Sequence, residues 1–238
     1  INKGYPYIHD RGLSTMAGIE PIDTDGDGYI NISCYSHLHW ISKNASSWAR
    51  KFELDNNINA DTTWLLSGGV GFTPIGNYYP TNFTGKFEGH GFAIDNLYIN
   101  NPGTDNLGLF GCTNGAEISN VGITHCYVYG NNSIGGLAGT ILYSLISNCY
   151  STGSVAGNSI VGGLIGSNGY YSTVCNTYST GSVSGTYSVG GLVGAIDNST
   201  VRNSYSTGKV PESNSGNGLV GSNGYYSTNI NNFLDTQT

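Results

Sequence analysis

Three aspartates at alternate positions form the segment of this 238-residue chain whose chemistry is easiest to name. Asp23, Asp25 and Asp27 lie in DTDGDGYIN, which has the order of the first half of an EF-hand loop. Carboxylate oxygens at alternate positions are ligands that suit Ca²⁺. The twelfth position holds Cys34, where such a loop has a glutamate, and no helix pattern precedes the segment. Two interpretations stay open, a calcium site and an acidic surface turn.

Carboxylates of the first half offer a second kind of chemistry, acid–base catalysis. The candidates are Glu53, Asp55, Asp61, Glu88 and Asp95. Such groups could pair across neighbouring strands, as in solenoid enzymes that cleave sugars, and solvated strand edges and turns are the alternative. Residues 118–196 contain no Asp, Glu, Lys or Arg, so this stretch offers no strong acid or base. We therefore expect no enzyme and assign no catalytic residue.

The cysteines are candidates for disulfide formation. They are Cys34, Cys112, Cys126, Cys149 and Cys175. None forms a C-x-x-C pair, so zinc is not expected. An odd number in an exported chain leaves at least one thiol free or bonded to another molecule. Cys149 and Cys175 fall diagonally on adjacent repeats, a separation that only marginally permits a direct bond.

Paired tyrosines form a candidate contact surface. The segment SNGYYST occurs twice, and its copies carry Tyr170, Tyr171, Tyr225 and Tyr226. Aromatic side chains favour interfaces because they bury a large area with few rotatable bonds. If both copies lie at one corner of alternate coils, they form a contact strip with a spacing of about 10 Å along the axis. Ladders with a purely structural role are the alternative.

The elements that must position these groups follow from a repeat. Gly-Leu-x-Gly tetrads begin at Gly108, Gly136, Gly163, Gly191 and Gly218, 27 or 28 residues apart. Short β-branched or aromatic runs between Gly, Asn and Ser clusters are strand and turn signals, and a period of this length is typical of a solenoid. The sequence predicts an all-β fold, a β-solenoid (β-helix) of about 27–28 residues per coil with about three short faces.

Stacked coils explain several residue choices. Tyr150, Tyr178 and Tyr205 should form a ladder, the tetrad leucines an internal column and the tetrad glycines a column of tight corners. Charges are missing because like charges one coil apart would repel. In HLHWISKN, Leu38 and Ile41 are spaced to dock a short helix on the core.

We predict three segments from these patterns. Residues 1–33 form an N-terminal extension, cap or arm, residues 34–107 the irregular first coils and cap, and residues 108–238 the regular GLxG solenoid. The chain begins at Ile1 rather than Met, which leads us to expect that a leading segment was removed.

Composition narrows the class of protein. Only 10% of the residues are charged, against about 25% in typical domains, yet the regular apolar positions predict a folded chain. With eight Lys and Arg residues there is no basic stripe for nucleic acid. No apolar run is long enough to span a bilayer, so no transmembrane segment is expected.

The tetrads, the YSTG segments and the lead-in WLLSGGVGFTPIG…NFTGKFEGHGFAIDNLYIN resemble the GLUG-motif repeat family of extracellular proteins. The resemblance covers about Gly28 to Thr238. It implies a secreted or surface-attached β-solenoid and carries no catalytic residue over to this chain. By composition, the chain also resembles the amyloid-like proteins of archaeal cell sheaths.

These observations predict an extracellular structural protein, at the cell surface or secreted. We expect it to self-assemble into a sheath, fibre or lattice through solenoid stacking and side contacts, with copies of itself as partner and with a cysteine that can lock the contact. The alternative is an adhesin, a module that binds a glycan or a protein. A polysaccharide-degrading enzyme is the least favoured function. No cofactor other than calcium is expected.

Overall fold

The computed structural model describes residues 18–78, 80–210 and 218–234. Within these ranges the chain forms one α-helix, α1 (Tyr35–Lys43), and two 3-10 helices, η1 (Ala45–Ser47) and η2 (Asp61–Gly69). The rest of the regular structure is strand. The strands are β1 (Ile30–Ile32), β2 (Lys51–Leu54), β3 (Ile58–Asn59), β4 (Lys86–Glu88), β5 (Ala93–Asp95), β6 (Tyr98–Asn100), β7 (Phe110–Asn114), β8 (Glu117–Ser119), β9 (Gly122–Tyr129), β10 (Asn132–Ile134), β11 (Ala138–Leu142), β12 (Leu145–Ser147), β13 (Tyr150–Ala156), β14 (Ser159–Gly162), β15 (Ile165–Gly169), β16 (Thr173–Cys175), β17 (Tyr178–Ser179), β18 (Ser182–Ser184), β19 (Tyr187–Gly190), β20 (Val193–Asp197), β21 (Thr200–Arg202), β22 (Tyr205–Ser206), β23 (Val220–Asn223), β24 (Thr228–Ile230) and β25 (Phe233–Leu234).

The strands stack into four sheets along the axis of a β-solenoid of about five turns. The first sheet has the order β1-β2-β4-β8-β12-β16-β21-β24, and the second has the order β7-β11-β15-β20-β23. The third has the order β3-β5-β9-β13-β17-β22-β25, with β6 on β9 and β18 on β13, and the fourth is β10-β14-β19. The fold class is confirmed, but a regular coil has four faces rather than about three, because the chain bends again after β13 and its next strand forms a separate sheet.

Parallel pairing confirms the length of the coil. Leu145 pairs with Thr173, Thr173 with Thr200, and Thr200 with Thr228, so the step alternates between 28, 27 and 28 residues. Residues of the paired strands therefore lie directly above or below their equivalents, apart from one extra residue in β9 between Ile123 and Cys126, and side chains on one face form columns.

The interior of the regular coils is a column of leucines, as the tetrads predict. Leu137, Leu164, Leu192 and Leu219 are all buried. The backbone N–H of each of the first three donates to the carbonyl of the next leucine, at 2.9–3.0 Å. Burial of such a side chain contributes about 1.5–3 kcal/mol, so this column is a main source of stability.

Tetrad glycines are required by close contact between coils. A Cβ on Gly163 would lie 2.1 Å from Ser179 Oγ and 2.3 Å from the carbonyl oxygen of Gly191. The backbone of Gly163 does not adopt a positive φ, whereas that of Gly218 does, at +68°. The corners are therefore tight, as the sequence predicts, mainly because no side chain fits between neighbouring coils.

Helix α1 begins at Tyr35, two residues before the predicted helical segment HLHWISKN. Leu38 and Ile41 of α1 are fully buried, as their spacing predicts, and the indole Nε1 of Trp48 donates to the carbonyl of Ile41 at 2.8 Å. Strand β1 pairs in register with β2, Ile30 facing Phe52, so residues 30–32 belong to the solenoid rather than to an extension. Residues 1–17 of the predicted arm lie outside the described residues.

Two polar ladders follow the corner between the first and third sheets. Tyr150, Tyr178 and Tyr205 stack at 4.9 and 5.0 Å with nearly parallel rings, which confirms the predicted ladder. Beside it runs an asparagine ladder that sequence reasoning missed, and each of its members has φ between +52° and +55°. The members are Asn120, Asn148, Asn176, Asn203 and Asn231. Asparagine tolerates this left-handed conformation better than other residues with a side chain, which explains its recurrence.

Candidate functional site

The acidic loop of residues 23–28 brings its three aspartates together. Asp23, Asp25 and Asp27 are exposed, and one carboxylate oxygen of each lies within 4.8 Å of the others. The loop is shaped by its own side chains, because Asp23 accepts hydrogen bonds from the N–H groups of Gly26 and Gly28, at 2.6 and 3.0 Å. The Gly26 bond is the main cause that lowers the pKa of Asp23, so this carboxylate is ionised at neutral pH.

Asn31, at the ninth position of this loop, joins the loop to the solenoid wall. Its Oδ1 accepts from the backbone N–H of Thr24 at 2.6 Å. Its Nδ2 donates to Glu53 at 2.7 Å and to Asp55 at 2.9 Å. Cys34, at the twelfth position, is the N-cap of α1 and makes no side-chain capping bond. The loop is therefore rigidly attached, and its ligand set ends with the three aspartates and backbone groups.

A groove of about 630 Å³ lies beside the acidic loop, at the corner between the first and third sheets. Glu53 and Glu88 face each other in the register of β2 and β4, and His90 bridges them. The His90 Nε2 lies 2.9 Å from Glu53 Oε2, and the His90 backbone N–H donates to Glu88 Oε1 at 2.8 Å. Asp27 and Tyr150 complete the walls of this groove.

The charges in this groove are fixed by hydrogen bonds. Partial burial acts to raise the pKa of Glu88, but donation from Ser119, the His90 backbone and Asn120 outweighs it, and the pKa is lowered overall. The bond to Glu53 raises the pKa of His90. A lowered carboxylate pKa suits an ionised structural group rather than a general acid, which needs a pKa near the working pH.

The other acidic candidates are spread over different places. Asp55 is held by Asn31, and Asp61 begins η2 on another side of the solenoid. Asp95 is paired with His125, whose Nδ1 lies 2.7 Å from Asp95 Oδ1. The five carboxylates named from the sequence therefore form no single cluster: Glu53 is joined to Asp55 through Asn31 and to Glu88 through His90, whereas Asp61 and Asp95 lie elsewhere.

A corner between the second and first sheets carries the paired tyrosines. Tyr170 and Tyr171 connect β15 to β16, and Tyr225 and Tyr226 connect β23 to β24 two coils further on. Tyr143 occupies the same corner one coil before, where its ring stacks on that of Tyr170 at 6.0 Å. We call these five residues the tyrosine corner. Sequence reasoning missed Tyr143 because its coil lacks the Tyr-Tyr pair.

The tyrosine corner is exposed and conformationally costly. Exposure rises from about half the side chain at Tyr170 to 91% at Tyr226. Tyr143, Tyr170, Tyr171 and Tyr226 all have φ between +49° and +60°. A bulky residue in this region costs about 1–2 kcal/mol, so the corner holds its rings outward against a local preference.

The five cysteines are free thiols in the structure. The marginal Cys149–Cys175 bond is not formed, and in the strand register Cys175 faces Ser147 and Arg202. Cys34 is the only one of the five that is not buried. Its neighbour His37 lowers the pKa of the Cys34 thiol, whereas burial raises the pKa of Cys149 to about 12.

A parallel solenoid with tight glycine corners and an internal leucine column defines a repeat protein. The GLUG motif model matches residues 130–156 and 185–210. The regular coils therefore contain two matches to the GLUG motif.

Halomucin from Haloquadratum walsbyi (strain DSM 16790 / HBSQ001) is 37% identical to this chain over 166 residues. The match covers 68% of this chain and 2% of Halomucin, so the chain spans a small fraction of the length of this relative. The GLUG repeats and the Halomucin match together suggest a surface or extracellular protein.

A solved structure from Bacteroides ovatus, provisionally described as an immunoglobulin A1 protease, matches with a TM-score of 0.48 and 16% identity. The match covers 88% of this chain and 79% of that chain. Among residues 18–78, 80–210 and 218–234, no helix is long and apolar enough to cross a membrane.

Proposed function

We propose that this chain is a structural module of an extracellular surface protein and that copies of it associate side by side through the tyrosine corner. The observation that supports this proposal is the exposure of five tyrosines at one corner, four of them in a costly backbone conformation. Exposed apolar clusters on soluble proteins are typical of interaction sites, and tyrosine is enriched in interfaces.

The spacing of the rings suits a second copy as the partner. Tyr143 and Tyr170 occupy adjacent coils, and Tyr225 lies two coils beyond Tyr170, so the rings follow the axis. In a two-fold contact the same strip serves both partners, and rings of one copy fill the gap between rings of the other. The gap is at Asp197 and Asn198, whose coil carries no tyrosine at this corner.

Low charge favours this contact. Residues 118–196 contain no Asp, Glu, Lys or Arg, so most of this wall carries no charge that would repel a second copy, and Asp197 in the gap is the acidic group that the contact must accommodate. The partly buried thiol of Cys34 lies outside the tyrosine corner, where it is a candidate for a covalent link to a neighbour after assembly.

Sedimentation velocity over a series of protein concentrations tests the proposal. We expect the chain to associate and to form ordered filaments or sheets, visible by electron microscopy with a spacing near 4.8 Å. Replacing Tyr170, Tyr171, Tyr225 and Tyr226 together by serine should leave a monomer.

The matched control is Tyr187→Ser, because Tyr187 is 62% exposed but lies on β19, away from this corner. This variant should associate like the unaltered chain. A chain that stays monodisperse and monomeric at high concentration contradicts the proposal, as does a quadruple variant that still associates.

We further propose that this role involves no catalysis. The lowered pKa of Glu88 supports this, since a glycosidase needs one carboxyl group that is protonated at the working pH. The test is release of reducing ends from a panel of neutral polysaccharides. Activity that disappears in both Glu53→Gln and Glu88→Gln would instead establish an enzyme in the groove.

We also propose that the acidic loop binds Ca²⁺ through Asp23, Asp25 and Asp27. Support comes from the three carboxylates within 4.8 Å and from a loop already closed by Gly26 and Gly28. The absence of a glutamate at the twelfth position predicts weak affinity, at the millimolar end for such loops. Calcium titration by calorimetry should give heat that is lost in Asp25→Asn; equal heat in both chains would refute the site.

A further inference from the structure

A second groove, of about 480 Å³, lies on the third sheet and belongs to none of the sites above. We propose that it binds a neutral sugar residue of a glycan chain, with Trp64, Tyr98 and Tyr127 as the stacking surface and Asp61 and His125 as the hydrogen-bonding groups. All five side chains line this groove. Its volume lies in the range of sites that hold small ligands.

Two stacked tyrosine rings line one side of the groove. Tyr98 and Tyr127 are register partners on β6 and β9, and their rings stack at 5.1 Å with an angle of 13°. The next positions in this column are Ser154 and Ser182, so no third ring covers the outer face of Tyr127. Tyr127 is 41% exposed. By contrast, Tyr178 has a ring on each side and offers solvent only its edge.

Trp64 forms another wall of the groove, and the backbone beside it is bonded to β6. It lies in η2, which packs against β6, and its side chain is 58% exposed. Next to it, the buried Thr63 accepts from the N–H of Tyr98 at 2.9 Å and donates to the carbonyl of Ala60 at 2.7 Å. Gly71 lets the chain return directly under Tyr98, because a Cβ there would lie 2.2 Å from the Tyr98 carbonyl oxygen. The distance between the walls is therefore fixed in advance, which reduces the entropic cost of binding.

Hydrogen bonds fix the orientation of His125 at the rim of the groove. His125 has φ +47°, its N–H donates to Thr152 Oγ1, and its Nδ1 bonds Asp95. Asp95 is itself fixed by Thr124 Oγ1 at 2.7 Å. With Nδ1 engaged, the Nε2 of His125 is left for a ligand. In neutral His125 the Nδ1–H donates to Asp95, so Nε2 is an acceptor, and together with the carboxylate of Asp61 it offers two acceptors for the O–H groups of a sugar.

Charge selects the class of glycan. The groove is lined by Asp61 and has no Lys or Arg, and the chain carries a net charge of −7. An anionic sugar or a nucleic acid would be repelled, whereas the C–H faces of a neutral pyranose pack on aromatic rings without an ionic partner. The ring-lined walls and polar rim therefore favour a neutral hexose or N-acetylhexosamine unit.

Tryptophan fluorescence of the full chain provides the test. Trp64 is the most exposed of the three tryptophans that could report binding, since Trp48 is buried and Trp40 is partly buried. The probes are cellohexaose, maltohexaose and N-acetylchitohexaose, with an oligogalacturonate of the same length as the anionic comparison. We expect a blue shift with at least one neutral probe, at millimolar affinity or better, and none with the oligogalacturonate.

Calorimetry with the same probes then separates this groove from the tyrosine corner. Trp64→Ala and Tyr127→Ala should each weaken binding about tenfold or more, the loss of one aromatic contact. Tyr171→Ser is the control, because it removes an exposed ring from the corner, and it should bind normally. The proposal is overturned if no neutral probe binds, if binding survives in both groove variants, or if the oligogalacturonate binds more tightly. Self-association through the tyrosine corner is measured separately by sedimentation. A failure of sugar binding therefore does not decide whether copies associate, and a failure of association does not decide whether the groove binds sugar.

Discussion

Adding one methyl group to a tetrad glycine is expected to destabilise the whole solenoid. In Gly163→Ala the new Cβ would meet Ser179 Oγ at 2.1 Å and the Gly191 carbonyl oxygen at 2.3 Å. The hydroxyl group can rotate away, but the carbonyl belongs to the backbone of the next coil. A normal contact needs about 1 Å more, so the two coils must separate locally.

The cost follows from the bonds that cross this gap. The N–H of Leu164 donates to the carbonyl of Leu192 at 3.0 Å, and a shift of about 1 Å breaks that buried bond at a cost of about 1–3 kcal/mol. Overpacking adds about 1–3 kcal/mol, and the stiffer unfolded chain returns about 0.4–1 kcal/mol. The net loss is about 3 kcal/mol, a large part of the 5–15 kcal/mol typical of a domain.

Gly169→Ala is the matched control for this change. A Cβ on Gly169 meets Leu142 Cδ2 at 3.6 Å and the Ile141 carbonyl oxygen at 4.0 Å, both ordinary contacts, and the φ of Gly169 is not positive. This variant should be neutral or slightly stabilised. Urea unfolding followed by far-UV circular dichroism measures both changes. If the two variants unfold at the same urea concentration, close contact between coils is not what requires glycine in the tetrads.

Three further predictions concern single side chains. Cys34 should react with iodoacetamide in the folded chain much faster than the other four cysteines, which are buried; mass spectrometry of the labelled peptides checks this, and equal labelling would contradict it. Glu53 raises the pKa of His90 in the folded chain. The His90–Glu53 pair therefore stabilises the fold fully below the unfolded pKa of about 6.5, and this stabilisation is lost as the pH rises through the pKa of His90 in the folded chain. His90→Gln should therefore lower the urea midpoint at pH 6 but not at pH 9. The loss in the free energy of unfolding should be less than about 1 kcal/mol, because the ring is half exposed. An equal loss at both pH values would refute the assignment. Tyr178→Ala should cost about 1 kcal/mol more than Tyr205→Ala in urea unfolding, since Tyr178 stacks on two rings and Tyr205 on one; the reverse order would show that stacking does not stabilise the ladder.

The regular coils could be predicted from the sequence because their residues repeat at fixed spacing. Equivalent positions such as Leu164 and Leu192, or Tyr150 and Tyr178, follow directly from the tetrads, and the structure places them in register. The asparagine ladder had the same signal, since Asn148 and Asn176 are also one repeat apart, but its meaning depends on a left-handed backbone that spacing alone does not reveal.

The candidate sites were only partly predictable, for a physical reason. The aspartates of the acidic loop are close in sequence, so their grouping was visible in the motif. The groove with Trp64 and Tyr127 depends on the path of η2, where Ser67 and Gly68 both have positive φ and turn the chain back toward β6. Nothing in that segment repeats, so no neighbouring coil provides a template from which its path can be inferred.

The hydrogen bonds between coils run along the solenoid axis, and this direction has a mechanical consequence. A coil of 27 or 28 residues advances only about 4.8 Å along the axis while it is folded. Pulled out straight, the same residues reach about 90 Å. When the chain is pulled, one layer of hydrogen bonds must break before the residues of a coil can extend. Stretching therefore proceeds in discrete steps, one coil at a time, and each step absorbs work. A segment built in this way can lengthen under load without breaking a covalent bond.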